Sequence, residues 1–444
     1  MKPYPFQQET LRSIQKFNGR CLVALSMGLG KTPIALWYIK KKRLTPTIVV
    51  CPASIKFQWA DEANKIMPNW RVTILEGRKP GPTWGADIII INYDILSYWV
   101  SHLLETASPQ AVILDEVHML ANATKRTRSA YRLCYEVENI LALSGTPLTN
   151  RPIELYNTVH LLCPESFPSK PSFGRAFCDL KINRWSGGLD YRGSSNLGKL
   201  RELLLDTCMI RKRKSEVLKE LPPKIRQVVR LDIKNREEYN RANSAFLDWL
   251  KDTKPSRVKK AKKAEAMVKV GYLLRLTARL KFWSVVEWVK DYLKESEGKA
   301  IIFAQHHKMI RGLSRQIGES VDVIHGGVPT SKRKSITEQF QTKKKPRILI
   351  GNIRAAGVGL NLTVADTVIF SELSWKPADH TQAEDRIHRI GQENTSWIYY
   401  LVAKGTIEEK LCEIIQAKHE TTSAVLDGGV TPDSLDIFSQ LLEV

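Results

Sequence analysis

Short runs of apolar, mostly β-branched residues punctuate the first third of the chain, with helical periodicity between them. The runs are Cys21–Leu25, Thr47–Cys51, Ile88–Ile91, Val112–Leu114 and Leu141–Leu143. Strands apolar at every position are buried on both faces, as in parallel sheets covered by crossover helices. The pattern stops near Pro152 and resumes at Ala300–Phe303, followed by Val321–Ile324, Arg347–Ile350, Thr367–Phe370 and Ile398–Val402. Two α/β blocks are therefore expected, residues 1–150 and about 295–405. The segment between them is mostly helical by pattern and too long for a plain loop, so it reads as an inserted helical subdomain. Within it, Trp185–Gly198 predicts an exposed loop, Gln227–Ile233 a short strand, and Arg236–Lys251 and Lys262–Leu293 helices. The tail from Thr406 to Ala417 reads as a helix. The expected division is 1–152, 153–294, 295–405 and 406–444.

Composition narrows the class. The 444 residues are 43% hydrophobic and 26% charged, ordinary for a globular chain, which excludes long disorder and fibrous repeats. Lys plus Arg is 68 against 46 for Asp plus Glu, a net charge of +22. An excess of that size implies a polyanionic partner, most commonly nucleic acid. No apolar run approaches a membrane span, and the N-terminus carries no signal core. Seven scattered cysteines give no CxxC spacing, so reduced thiols are expected and structural zinc is not.

Three strings carry chemistry. Ser26–Thr32, Ser-Met-Gly-Leu-Gly-Lys-Thr, follows the first apolar run and opens a helical pattern at Pro33–Lys41. Gly28 and Gly30 let backbone N–H groups close around a phosphate at the positive end of a helix. Lys31 can reach the outer phosphates, and the Thr32 hydroxyl can bind Mg²⁺. Strict consensus would have glycine at position 25, where the chain has leucine. The plain alternative is a glycine-rich turn. Downstream, Val112–His118 is an apolar strand ending in Asp115 and Glu116. Asp115 suits the same Mg²⁺, and Glu116 suits orienting or deprotonating an attacking water. Acidic strand ends are common in α/β proteins, so the pair gains its meaning from the phosphate loop upstream. Lastly, Gln382–Gln392 sets Arg386 and Arg389 three apart, predicting one helix face that could be presented to a phosphoryl group. The alternative there is a solvated, salt-bridged helix.

Taken in order, these strings resemble the Swi/Snf ATPases, DNA translocases of helicase superfamily II. The resemblance also rests on Leu143–Leu148, Ala355–Leu362, Val50–Ser54 with Gln58 and Trp59, Met209–Lys214 leading to Leu221–Lys224, and Leu401–Lys410. Glu372–Pro377 followed by the Gln382 string looks most like the annealing-helicase branch. The likeness runs from about Tyr4 to Leu411. One departure is Leu25 and Ser26, where the family usually has acidic residues. The resemblance implies two RecA-like parallel-sheet lobes with a largely helical insertion between them. It implies ATP and Mg²⁺ bound between the lobes, with an adenine-side glutamine at Gln7 and a nucleotide contact at Gly357. Arg386 and Arg389 would lie at the γ-phosphate, while His118, Ser144, Thr146 and Gln382 would couple nucleotide state to DNA grip. Ser54, Gln305, Lys308 and Thr363 mark the implied DNA contacts.

The expected function is thus an ATP-dependent translocase on double-stranded or forked DNA, remodelling or reannealing it in replication, repair or recombination. A strand-separating RNA or DNA helicase, and a factor that remodels polymerase or other protein–DNA complexes, are the rivals. The motor fills the chain, so a bacterial or phage-infected cytoplasm, nucleoid association, a monomer and a protein partner for targeting are expected, over a nuclear setting. Two stretches stay open. The basic residues between Lys251 and Lys269 read equally as phosphate contacts or a solvated tip. The helix around Trp283 and Trp288 has core-type spacing, with base stacking as the alternative.

Overall fold

The computed structural model describes residues 2–415 apart from 149–150, 183–187, 192, 253–259, 319–320, 354–359, 361 and 375; the side chains of 246–252, 260–267 and 330–331 are likewise outside the description. Two compact units result, one spanning residues 1–219 and the other beginning at Glu220.

In the first unit, β1 (Arg20–Leu25), β2 (Thr47–Cys51), β3 (Val72–Ile74), β4 (Ile88–Asn92), β5 (Ala111–Asp115) and β6 (Asn139–Leu143) follow the apolar runs, with β3 added. They alternate with α1 (Pro5–Lys16), α2 (Lys31–Lys42), α3 (Lys56–Ile66), α4 (Leu96–Ala107) and α5 (Lys125–Cys134). After α6 (Ile153–Leu162) and α7 (Lys170–Phe177) come a hairpin of β7 (Lys181–Ile182) and β8 (Leu189–Asp190), then α8 (Leu197–Thr207), β9 (Met209–Lys212) and α9 (Lys214–Val217). The sheet order is β3-β4-β2-β5-β6-β1-β9, and every pairing is parallel. Alternate residues of the central strands face opposite ways. Leu22, Val50, Ile89 and Leu114 pack with Trp99, Leu103 and Leu133 of α4 and α5. Their neighbours Val23, Val49 and Ile113 are also fully buried, which is why these strands read as unbroken apolar runs.

The second unit repeats the plan. β10 (Lys224–Leu231), α10 (Arg236–Asp252), α11 (Lys260–Leu280) and α12 (Phe282–Glu295) lead into β11 (Ala300–Ala304), α13 (His307–Ile317), β12 (Val321–Ile324) and α14 (Thr330–Thr342). Then come β13 (Ile348–Asn352), β14 (Thr367–Phe370), α15 (Pro377–Glu384) and β15 (Ser396–Ala403). Its parallel sheet runs β10-β15-β14-β11-β13-β12. Residues 407–415 continue as a helix.

The segment 153–294, expected as one insertion, is divided between the units. Strand β9 extends the first sheet beside β1, and β10 extends the second beside β15. An edge strand needs a ladder partner, and each takes the nearest sheet. The single helix expected over Lys262–Leu293 is broken at Lys281, whose ammonium turns inward to Glu408 (2.7 Å) and the Leu401 carbonyl (2.6 Å). Among the described residues no helix is long and apolar enough to cross a membrane.

Candidate active site

Three loops meet at the carboxyl edge of the first sheet, the edge where open α/β sheets place their ligands. The first joins β1 to α2. Gly28 and Gly30 hold φ at 81° and 75°, a region that glycine enters without penalty. A β-carbon at Gly30 would also stand 2.6 Å from Gln7 Nε2. Gln7 is buried on α1, donates to the Leu29 carbonyl (3.1 Å) and accepts from the Tyr4 N–H (2.9 Å), so it pins this loop from behind. The opening turn of α2 begins at Lys31, and helix starts present N–H groups and positive dipole to an anion. Lys31 Nζ donates back to the Leu25 carbonyl at 3.0 Å.

The second loop follows β5. Asp115 is buried, with Oδ2 accepting from the Trp59 indole N–H (2.7 Å) and Oδ1 from the Glu116 N–H (2.9 Å). The Tyr93 hydroxyl donates to the Asp115 carbonyl at 2.8 Å. Burial, and after it the Glu116 carboxylate, push the Asp115 carboxyl above the ordinary range; Trp59, the Lys31 ammonium and the Glu116 N–H oppose this. Glu116 sits in the left-handed region at φ 49°, ψ 52°, a conformation that costs a non-glycine residue about 1–3 kcal/mol. Its Oε2 lies 3.3 Å from His118 Nδ1.

The third loop follows β6. A β-carbon at Gly145 would come within 2.4 Å of Met27 Cγ and 3.2 Å of Lys31 Nζ, so this turn rests directly on the phosphate-loop candidate. Ser144 is fully buried and its Oγ accepts the Thr146 N–H at 3.2 Å. Thr146 Oγ1 is buried with no hydrogen-bond partner among the described residues. A buried hydroxyl left unpaired costs about 1–3 kcal/mol, which an outside polar group would relieve. With Thr32 and Asp115 as hard oxygen donors for a divalent ion, the residues present fit a nucleoside triphosphate with Mg²⁺.

In the second unit the sequence expectation for the arginines is corrected. Helix α15 ends at Glu384, and Arg386 and Arg389 stand in the following turns rather than on a helix face. The reason is a buried charge network. Glu384, fully buried, accepts from Lys224 (3.0 Å), from Arg226 Nε and Nη2 (2.9 and 2.6 Å) and from the Tyr400 hydroxyl (2.7 Å). Asp385 accepts from Lys224 at 2.8 Å. These long-range pulls from β10 draw both acids inward and end the helix. The solvated salt-bridged reading fails with it. Arg386 donates to the carbonyls of Gln382 (3.2 Å) and Leu360 (3.3 Å), and Gln382 is itself buried.

The remaining candidates are dispersed. Ser54 is half-buried in a short turn after β2. Gln305 and His306 donate their N–H groups to Glu372 Oε2 (2.7 and 2.8 Å), and His306 Nδ1 lies 2.6 Å from Glu372 Oε1. Lys308 is exposed at the start of α13, and the Thr363 carbonyl accepts from Gln392 (3.2 Å). Gly357 and residues 253–259 of the basic stretch lie outside the described residues. Sequence reasoning gave no role to Trp59, Tyr93 or Glu372, which hold Asp115 and the Gln305 loop. Trp59 and Glu372 fell within the family strings, whereas Tyr93 carried no signal.

Residues 7–281 match the family model of the SNF2-related domain, and residues 284–391 match that of the helicase conserved C-terminal domain. The SWI/SNF-related matrix-associated actin-dependent regulator of chromatin subfamily A-like protein 1 of Xenopus tropicalis is 36% identical over 428 residues, 93% of this chain and 44% of that protein. The DNA annealing helicase and endonuclease ZRANB3 of Mus musculus is 33% identical over 447 residues, 96% of this chain and 41% of that protein. The chain thus spans less than half the length of these curated relatives. A solved Sulfolobus solfataricus SWI2/SNF2 ATPase core in complex with dsDNA aligns over 96% of this chain and 95% of its own, at 23% identity and a TM-score of 0.45.

Proposed function

We propose, from the premise that this chain belongs to the SNF2-related family, that it hydrolyses ATP to move along double-stranded DNA and to remodel or reanneal DNA structures. One observation carries the reading. The Lys31 ammonium stands where the loops after β1, β5 and β6 converge, beside Gly145 and close enough to Asp115 to ease its ionisation. A phosphate chain is the ligand that such a junction of N–H groups, ammonium and carboxylate suits.

On this reading the residues divide the work as follows. Backbone N–H groups between Gly28 and Thr32, with Lys31, bind the outer phosphates. Thr32 and Asp115 would hold Mg²⁺, which when bound neutralises phosphate charge. Trp59 keeps Asp115 aimed and eases its ionisation against the opposing effect of burial. Glu116 orients and deprotonates the attacking water, its strained backbone fixing the carboxylate. Gln7 meets the adenine side, and Gly357 is assigned a nucleotide contact by family likeness. Arg386 and Arg389 offset charge on the transferring phosphoryl group, a contribution of about 10³–10⁵ in rate. Gly145 lets the Ser144–Thr146 turn feel the state of the phosphate loop; with His118 and Gln382 it would relay that state to DNA grip. Ser54, Gln305, Lys308 and Thr363 are assigned to the DNA backbone. Contacts of that kind are independent of sequence, which suits a moving motor and the net charge of +22.

The relatives' names add support: one is a DNA annealing helicase. The test is the ATPase rate with duplex DNA, forked DNA, single-stranded DNA and RNA at two salt concentrations. Duplex and forked DNA should stimulate most, and stimulation should fall steeply with salt. Stronger stimulation by RNA would replace this reading with the strand-separating one.

A further inference from the structure

The second unit carries a pocket of about 890 Å³ formed where α11, α12 and the start of α13 meet. Helical spacing explains its wall. On α11, Val270, Leu273, Leu274, Leu276 and Thr277 face the core, which leaves Tyr272, Arg275 and Arg279 on the opposite stripe. Those three line the pocket, and Trp283 and Lys308 line it from α12 and α13. Two of its aromatics are not core groups, Tyr272 being 53% and Trp283 42% exposed, whereas Phe282 beside them packs against the core. Trp288, five residues on, instead packs at 5.0 Å from Tyr399, so the two tryptophans of α12 have different fates.

Charge identifies the occupant. Arg275, Arg279 and Lys308 line the same pocket as the rings, and Lys234 lies 5.4 Å over the Trp283 ring. Both acids of the pocket are already engaged, Glu238 with Arg279 and Glu372 with His306. Exposed aromatic faces among arginines and lysines suit a planar, apolar group attached to an anion. A nucleotide in an unstacked strand has that chemistry, because every base offers a π-face and every link a phosphate. Duplex DNA does not, because its bases are stacked inside.

We infer that this pocket binds an unstacked segment of single-stranded DNA, with Tyr272 and Trp283 stacking on bases and Arg275 and Lys308 meeting phosphates. This rests on the DNA-motor reading above and adds to it a site that holds the separated strand at a fork or during reannealing.

The test uses the full chain and fluorescence anisotropy with three probes roughly 20 nucleotides long, above the span of one aromatic-lined groove. They are oligo(dT), oligo(rU) and a blunt DNA duplex. Trp283→Ala and Tyr272→Ala should each weaken oligo(dT) binding roughly tenfold, the scale of one lost base stack. Trp283→Phe should restore most of it, and duplex affinity should change less than about twofold. Equal losses on duplex and oligo(dT), or no loss on oligo(dT), would overturn the inference and leave the motor reading standing. Tighter wild-type binding of oligo(rU) than of oligo(dT) would overturn the assignment to DNA. A wild-type chain that binds none of the three probes would instead remove the motor reading itself. Since Tyr272 is half-exposed, its variant keeps the test valid if Trp283→Ala perturbs folding.

Discussion

Lys281 is fully buried and Glu408 only 2% exposed, with 2.7 Å between Nζ and Oε2. Lys281→Met preserves much of the side-chain volume and removes the charge. Glu408 is then left buried, with the Ala403 N–H (3.0 Å) as its remaining donor among the described residues. Stranding one member of a buried pair costs about 3–5 kcal/mol, a large part of the roughly 5–15 kcal/mol that holds a domain folded. Because the pair binds the break between α11 and α12 to the tail after β15, the loss should appear in the second unit alone. Hydrogen exchange of the β15 amides reports it, and those amides should exchange roughly two to four orders of magnitude faster than in wild type. Burial already pushes the Glu408 carboxyl up, with Lys281 opposing. Without Lys281 it rises further. An acid with a raised folded pKa costs stability as pH rises through the window between its unfolded and folded values, so the penalty should be larger near pH 8 than near pH 5. Lys281→Met with Glu408→Leu should recover most of the loss, since apolar replacement of a whole buried pair is often neutral. A single-variant penalty below about 1 kcal/mol, or one equal at both pH values, would refute this account of the pair.

Three further outcomes follow from the geometry. Gly145→Ala should lower the ATPase turnover by about tenfold or more and destabilise the first unit by about 1–3 kcal/mol, because its β-carbon meets the buried Met27 side chain as well as Lys31; an ATPase assay beside chemical denaturation checks both. Glu384→Gln should destabilise the second unit by about 3 kcal/mol, the low end for a buried pair since the Arg226 side chain is 41% exposed, and should also cut turnover through Arg386; chemical denaturation beside an ATPase assay checks both. His306 has its pKa raised by its bond to Glu372, against partial burial. That pair therefore stabilises fully below about pH 6.5 and fades as pH rises through the raised value, so Glu372→Gln should lower the melting temperature more at about pH 6 than at about pH 9.

What the sequence reveals depends on how local the cause is. Strands such as Thr47–Cys51 and Ile88–Asn92 are visible because burial on both faces forces every position apolar. Strand β3 has three half-buried residues, and β9 ends in Arg211 and Lys212, so neither edge strand has that signature. The glycines and Lys31 are legible because a phosphate loop is built from neighbours in sequence. Their supports are not. Trp59 reaches Asp115 across 56 residues and Arg226 reaches Glu384 across 158, distances at which spacing says nothing. The same limit explains the two helix errors. Lys281 and Glu384 each fall inside a stretch of helical pattern, and partners far along the chain turn them inward where the helices stop.

ATP hydrolysis by Glu116→Gln, measured in one preparation beside ATP and duplex-DNA binding, bears most directly on the motor reading. The side chain keeps its size but can no longer deprotonate water. Hydrolysis should fall by roughly 10²–10⁴-fold, the usual share of a general base, with both affinities kept within a few-fold of wild type. A Glu116→Gln chain that still hydrolyses ATP at the wild-type rate on duplex DNA would contradict the assignment of this site.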